Sequence, residues 1–380
     1  MSFVINTRSP YFVTLSTSGS GTVTFDLYIW KGTQGDQPGT PTYQLSSETE
    51  NSDRAAFEIS ELIRDYLLTE YLTESTDALW VKWVYQTPGM TSPTGSPNHI
   101  AIDGYGYFEE GVNPRETDSP NAFDGSFTPQ VLQDARKVYF IPGEDIRIPM
   151  WGDAGSTAHF VSGSGANVFW NAVTQAWETY EGNWGTLLND IVITPGDHTD
   201  DKIYYIVISG TELLGNQDIL EITSADGLQF DQIELIKLCE PKFTPIRISF
   251  YNKYGAQEDI WASKKSSKSL KTSSSSYKRS TLKSGPYPSL TYSTTQHTDR
   301  RFDVTARESI TVNTDLYTED INEAISQLLM SERVWLTEEG KILPVTLRTE
   351  SVEKKTSVKD KMVQYTLEFE YAFDKIQSIR

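Results

Sequence analysis

Between Met362 and Phe373 the chain reads MVQYTLEFEYAF, and Val363, Tyr365, Leu367, Phe369, Tyr371 and Phe373 take every second position. Gln364, Thr366, Glu368 and Glu370 fill most of the gaps. Successive side chains of a strand point to opposite sides, so this alternation predicts one face on a core and one in water. At ~3.4 Å per residue an uninterrupted strand here spans roughly 35 Å, longer than usual. The segments just before it are suited to pair with it or cover it. Arg307–Val312 reads as a strand. Ile321, Ala324, Ile325, Leu328 and Leu329 form one face of a helix, with Thr318 as the expected cap and Glu319 and Asp320 in the first turn. Val334–Leu336 and Pro344–Arg348 flank a turn at Glu338–Gly340 and read as a hairpin.

The same reading applied to the beginning of the chain gives strands at Tyr11–Leu15, Thr22–Trp30, Leu79–Tyr85 and Ala101–Phe108, with Pro41–Leu45 as a short edge strand. Ile59, Leu62, Ile63, Tyr66 and Leu67 predict a short helix capped by Ser60. In the middle, Asn113–Pro129 reads as a Pro-rich linker, Val138–Phe140 and Ile146–Met150 as a hairpin, and Ile203–Ile208 as a strand buried on both faces or at an interface. The fold class expected is therefore mainly β and multi-domain. Residues 1–112 form a fibronectin III-like β-sandwich with one short helix, 113–240 a Trp-rich β domain, and 241–380 an antiparallel sheet with one covering helix.

Two stretches depart from the average composition. Trp151, Trp170, Trp177 and Trp184 crowd into one window rich in Gly, Ser and Asn. Either their rings fill a small hairpin core, or Trp170, Trp177 and Trp184 are candidate contacts for a glycan of a host surface. The second stretch runs from Trp261 to Thr298 without one acidic residue, in a chain with 52 of them and a net charge of -19. Lys264, Lys265, Lys268, Lys271, Lys278, Arg279 and Lys283 sit there among serines. Residues 264–283 read as a basic loop, disordered in isolation. Lys264, Lys265, Lys268, Lys271, Lys278 and Arg279 are its candidate assembly contacts, because an acidic body with one basic arm is self-complementary. Nucleic acid and a plain surface loop are the other readings of the arm. For the chain as a whole, so acidic a protein repels phosphate and specific nucleic-acid binding is not expected.

Sequence signatures of chemistry are missing. No phosphate loop, no Gly-x-Gly-x-x-Gly and no Gly-x-Ser-x-Gly is found. His99, His159, His198 and His297 are scattered, and Cys239 stands alone, so no internal disulfide forms. Cys239 is expected as a small buried apolar side chain. The carboxylates of Pro195–Asp201 lack the spacing of a 12-residue calcium loop. An enzyme is not expected, nor a cofactor, a metal site, a signal peptide or a membrane span.

The two ends carry a resemblance. NTRSPYF (Asn6–Phe12) with FEISELIRDYL (Phe57–Leu67) resembles the opening of structural proteins of tailed bacteriophages, especially phages of Bacteroidetes and related marine bacteria. The same proteins resemble the C-terminal part in ISFYNKYGAQEDIW (Ile248–Trp261) with its basic loop, RESITVNTDL (Arg307–Leu316), LLMSERVWL (Leu328–Leu336), Pro344–Val345 and KDKMVQYTLEFEYA (Lys359–Ala372). Residues 113–240 carry no match. The resemblance implies a virion component of tail, baseplate hub or neck, made in the host cytoplasm and assembling as a ring with copies of itself and other virion proteins. It supplies no catalytic residues.

Overall fold

The computed structural model describes residues 4–32, 34–49, 54–67, 71, 78–110, 130–151, 157–161, 168–171, 176–179, 191–192, 203–208, 217–223, 229–238, 241–280, 282–284, 288, 290–354 and 362–376. The linker at 113–129, the acidic turn at 195–201, Trp184, His198 and Cys239 lie outside them.

The first group comprises β1 (Val4–Asn6), β2 (Phe12–Ser16), β3 (Thr22–Trp30), β4 (Tyr43–Glu48), β5 (Arg54–Glu58), helix α1 (Ser60–Arg64), β6 (Leu79–Gln86), β7 (Thr94–Gly95) and β8 (His99–Ile102). One sheet has the order β1-β8-β6-β3-β4, with β7 beside β6, and β2 pairs with β5 in a second sheet. Alternation places Val23, Phe25, Leu27 and Ile29 of β3 in a shared core with Val13 and Leu15 of β2 and Phe57 of β5. Phe25 and Phe57 stack with centroids 4.6 Å apart. This is a β-sandwich. Two details depart from expectation. Ser60 does not cap α1: Ile59 takes that position and the Ser60 hydroxyl donates to Glu58. The last strand ends at Ile102, not Phe108, because the chain leaves the sheet at Asp103–Gly104.

The middle group holds β9 (Gln130–Val131), β10 (Lys137–Phe140), β11 (Ile146–Trp151), β12 (Thr157–Val161), β13 (Val168–Asn171), β14 (Ala176–Thr179), β15 (Ile191–Val192), β16 (Tyr204–Ile208), β17 (Gln217–Thr223) and β18 (Gln229–Lys237). The predicted hairpin of β10 and β11 does not form. β10 pairs in parallel with β18, whereas β11 lies between β16 and β9. Nor is β16 buried on both faces: it is an edge of its sheet, and Val207 is 44% exposed.

The third group follows with β19 (Ile246–Tyr251), β20 (Gln257–Ala262), β21 (Ser267–Lys278), β22 (Leu282–Ser284), β23 (Leu290–Tyr292), β24 (Asp299–Asn313), β25 (Tyr317–Thr318), helix α2 (Ile321–Met330), β26 (Val334–Glu338), β27 (Lys341–Leu347), β28 (Met362–Val363) and β29 (Thr366–Tyr371). Seven of these strands build one sheet, ordered β20-β19-β26-β27-β29-β24-β21, and every pairing in it is antiparallel. Glu339 and Gly340, at φ 50° and 75°, close the predicted hairpin of β26 and β27. Positive φ at both loop residues is what the right-handed twist of a two-residue hairpin requires.

The terminal alternation is realised from Val363 to Tyr371, whose odd-numbered residues are all buried. The strand itself is not continuous. The backbone of Tyr365 bonds to Thr314, splitting the segment into β28, which pairs with β25, and β29, which ends at Tyr371, so that Phe373 lies beyond the sheet and is 45% exposed. Helix α2 buries Ile321, Ala324, Ile325 and Leu328 in the same core. Each fully buried side chain of this size contributes on the order of 1.5–3 kcal/mol. Asp320, not Thr318, is its N-cap residue, because Thr318 is held in β25, where its N–H donates to the Tyr139 hydroxyl.

Candidate assembly interface

The predicted basic loop is a β-ribbon. β21 and β24 pair over Ser267–Lys278 and Asp299–Asn313, and β22 and β23 continue the excursion. Serine, threonine and lysine fill most of β21 and leave no apolar face to mark it as a strand, yet backbone pairing carries the ribbon outward. β29 supports β24 only from Ser309 to Asn313. The seven residues Asp299–Thr305 lie beyond the body, a projection of roughly 24 Å, since Lys375 N–H still bonds Ala306 O and Arg307 still reaches Glu370. Between Ser273 and Ser275 the register slips, and Asp303 takes φ 50°. A bulge of this kind bends the ribbon and re-aims its side chains.

The ribbon's cations divide at this distance from the body. Near the sheet they have partners. Lys264 lies 2.9 Å from Asp315, Lys268 2.8 Å from Glu338, and Arg307 3.1 Å from Glu370 and 3.0 Å from Asp374. Burial opposes ionisation of Asp315, but donation by Ser263 and Lys264 outweighs it and holds the carboxyl below its ordinary range. Farther out, Lys271, Lys278, Arg279, Arg300 and Arg301 make no ion pair among the described residues, and Lys265 near the base makes none either. The outer ribbon also exposes Tyr277, Phe302, Leu282 and Tyr292, at 46%, 51%, 60% and 71%. Tyr277 and Phe302 meet edge to face, 5.8 Å between centroids. Ten Lys and Arg against two Asp give residues 264–307 a charge of +8, so the remaining chain carries -27.

The sheet bearing the ribbon meets the rest of the chain at several places, and the densest polar junction is the turn Asn252–Ala256 of the YNKYGAQEDIW segment. The Asn252 amide donates to Leu132 O (2.7 Å) and Glu258 Oε2 (3.1 Å), and its carbonyl accepts from the N–H groups of Tyr254 and Ala256. Tyr254 donates to Asp134 (2.7 Å), Tyr105 N–H to Lys253 O (2.8 Å), and Gln257 N–H to the Tyr205 hydroxyl (2.6 Å). Residues from all three groups thus meet here. Gly255 has φ 69°, and a Cβ on it would lie 2.9 Å from the Asp103 carbonyl carbon. Gly104 is packed as closely, against Asn6 and Lys253. Burial pushes the Glu258 carboxyl up to about 7, against the bond from Asn252. The imidazole of His99, stacked on Trp83 at 4.3 Å, is driven by burial down to about 4.

A cavity of about 30 Å³ beside Arg147, Glu258, Asp259 and Tyr317 has room for a water molecule. Among the described residues no cluster of His, Cys, Asp and Glu is placed to hold a metal, and no helix is long and apolar enough to cross a membrane. Trp170 and Trp177 stand directly opposite in the β13–β14 register. The β-ribbon is the feature that composition could not reveal, because its pairing is carried by backbone groups. The ion pairs of Lys264 and Lys268 are equally hidden, since Asp315 and Glu338 are distant in sequence.

No family model matches the chain, and no curated protein does. Solved structures similar over part of it include the following three. The E. coli chaperone DraB aligns with 62% of this chain and 93% of its own at 10% identity and a TM-score of 0.19. The fibronectin(III)-like modules of Clostridium thermocellum CbhA align with 63% of this chain and 90% of their own, at 10% identity and a TM-score of 0.14. The BSP domain of a biofilm-associated protein aligns with 83% of this chain and 63% of its own, at 8% identity and a TM-score of 0.18. Scores this low carry no argument about function.

Proposed function

We propose that this chain is a structural component of a tailed-phage virion, in the tail, baseplate hub or neck, and that it assembles as a symmetric ring through its C-terminal group. One observation carries the assembly reading: the outer ribbon of an otherwise acidic chain exposes aromatic rings together with cations that make no ion pair among the described residues. A two-stranded ribbon is marginal alone in water. Exposed apolar groups on it mark a contact surface. A head-to-tail contact between copies closes into a ring when its rotation allows. The virion assignment is supported by the resemblance of both ends to phage structural proteins.

The solution mass of the purified chain, with negative-stain images of the same sample, tests this. A closed ring of fixed copy number is expected. A monomer at every concentration, together with its absence from purified phage particles, overturns the proposal. The second reading, a carbohydrate-binding host-recognition module, rests on the register that sets Trp170 opposite Trp177. A glycan array that stays blank with the parent chain rejects it.

A further inference from the structure

The ribbon needs a seat, and the described surface offers one with the opposite chemistry. Phe108 is 99% exposed, more than any other large apolar residue described. Glu109, beside it on the same short 3-10 turn, is exposed and makes no ion pair among the described residues. This turn is not a free loop. The chain leading to it is tied down by Gly106 N–H on Ser9 Oγ (2.8 Å), Tyr105 N–H on Lys253 O and the Tyr107 hydroxyl on Glu323. An aromatic ring and a carboxylate are therefore held out in water on a rigid base. The ordinary fate of a ring that size is burial, because its area dominates interface energetics. Its own ribbon does not cover it: Phe108 and the outer ribbon are both exposed within one chain.

We propose that the Phe108–Glu109 turn of one copy is the docking seat for the outer ribbon of a second copy. Tyr277 and Phe302 would pack against Phe108, and Lys278 and Arg279 would face Glu109. The partner is a second copy because the complementarity is internal to this sequence: +8 on the ribbon segment against -27 on the remaining chain, with exposed aromatics on both surfaces. Ribbon and seat are different surfaces, so the contact is head-to-tail and propagates around a ring. The inference rests on the self-assembly reading above and adds the location of the acceptor.

Charge exchange in the full-length chain tests it, read by sedimentation velocity. Lys278→Glu with Arg279→Glu, and separately Glu109→Lys, should each weaken association at least ~10-fold, as expected for like charges brought together at an interface. Combining the three changes should restore association to within ~3-fold of the parent. A photo-crosslinking amino acid at position 108 should link to peptides of the 271–304 segment of another copy. If the ribbon reversal weakens association while Glu109→Lys and the crosslinks do not implicate the turn, self-assembly stands and this seat is overturned. If the parent does not self-associate and instead shifts duplex DNA through the ribbon, both readings fall. Unchanged thermal unfolding in each variant excludes misfolding as the cause.

Discussion

Strand β24 is two structures in one. From Ala306 to Asn313 it has buried positions at Ala306, Ile310 and Val312, and over Ser309–Thr311 it is paired with β29 on one side and β21 on the other. From Asp299 to Thr305 every residue is exposed, and β21 is its sole partner in the sheet among the described residues. The inner half is bonded along both edges over Ser309–Thr311 and the outer half along one, and side-chain burial divides them further. The inner half is held by the core and the outer half by pairing alone. Net backbone hydrogen bonds contribute little against the conformational entropy they cost. A ribbon of that kind gains most of its stability when another surface covers it.

The largest contrast should come from two phenylalanines. Phe369→Ala, at 0% exposure facing the inner half, should cost about 3–5 kcal/mol in urea unfolding. Phe302→Ala on the outer half should stay within about 0.5 kcal/mol. Equal losses would erase the distinction. Next comes the densest polar junction between the sheet and the rest of the chain. Gly255→Ala forces a Cβ against the Asp103 backbone at φ 69° and should cost roughly 1–3 kcal/mol. An unchanged midpoint would show that the two groups are not rigidly joined there.

Acidity sharpens the contrast between the junction and the sandwich. Glu258 is raised from 4.5 to about 7, so the folded chain keeps a proton that the unfolded chain releases. Its contribution is complete below pH 4.5 and lost as pH rises to 7. His99 is lowered from 6.5 to about 4, so its contribution is complete above pH 6.5 and lost as pH falls to 4. Between pH 4.5 and 6.5 the two slopes oppose. Glu258→Gln removes one of them. Its stability relative to the parent should rise with pH there, by about 1.4 kcal/mol per unit. Parallel pH profiles would contradict the burial of Glu258.

The smallest stability effects belong to the cations. Lys268→Ala, losing a half-exposed pair with Glu338, should cost ~0.2–1 kcal/mol and leave association unchanged. Lys271→Glu with Lys278→Glu should leave stability within about 0.5 kcal/mol and abolish association. The opposite pattern would move the contact back to the base of the ribbon.

These two halves also show what sequence reveals. Val363–Tyr371, β3 and α2 were legible because burial on one face writes a period of two or of three to four into the apolar residues. The outer ribbon has no buried face and hence no period, and so a Ser/Lys run read as a loop folds as paired strands. β5 is hidden because its only buried residues, Ala55 and Phe57, are too few to show a period. β1 was missed because three residues are too few to show a period. The break at Gln364–Tyr365 has a tertiary cause, the bonds of Tyr365 to Thr314. The basic stretch is legible as composition, but not the partners of its cations. Asp315 and Glu338 satisfy Lys264 and Lys268, and only the fold brings them together.

Hydrogen–deuterium exchange at two protein concentrations, one dilute enough for single copies and one where copies associate, tests the central claim most directly. In single copies the Ile310–Asn313 amides should exchange slowly and those of Asp299–Thr305 fast. On association the outer amides should slow by an order of magnitude or more while the inner ones stay unchanged. Outer amides that exchange equally fast in both states would contradict a ribbon covered by a second copy.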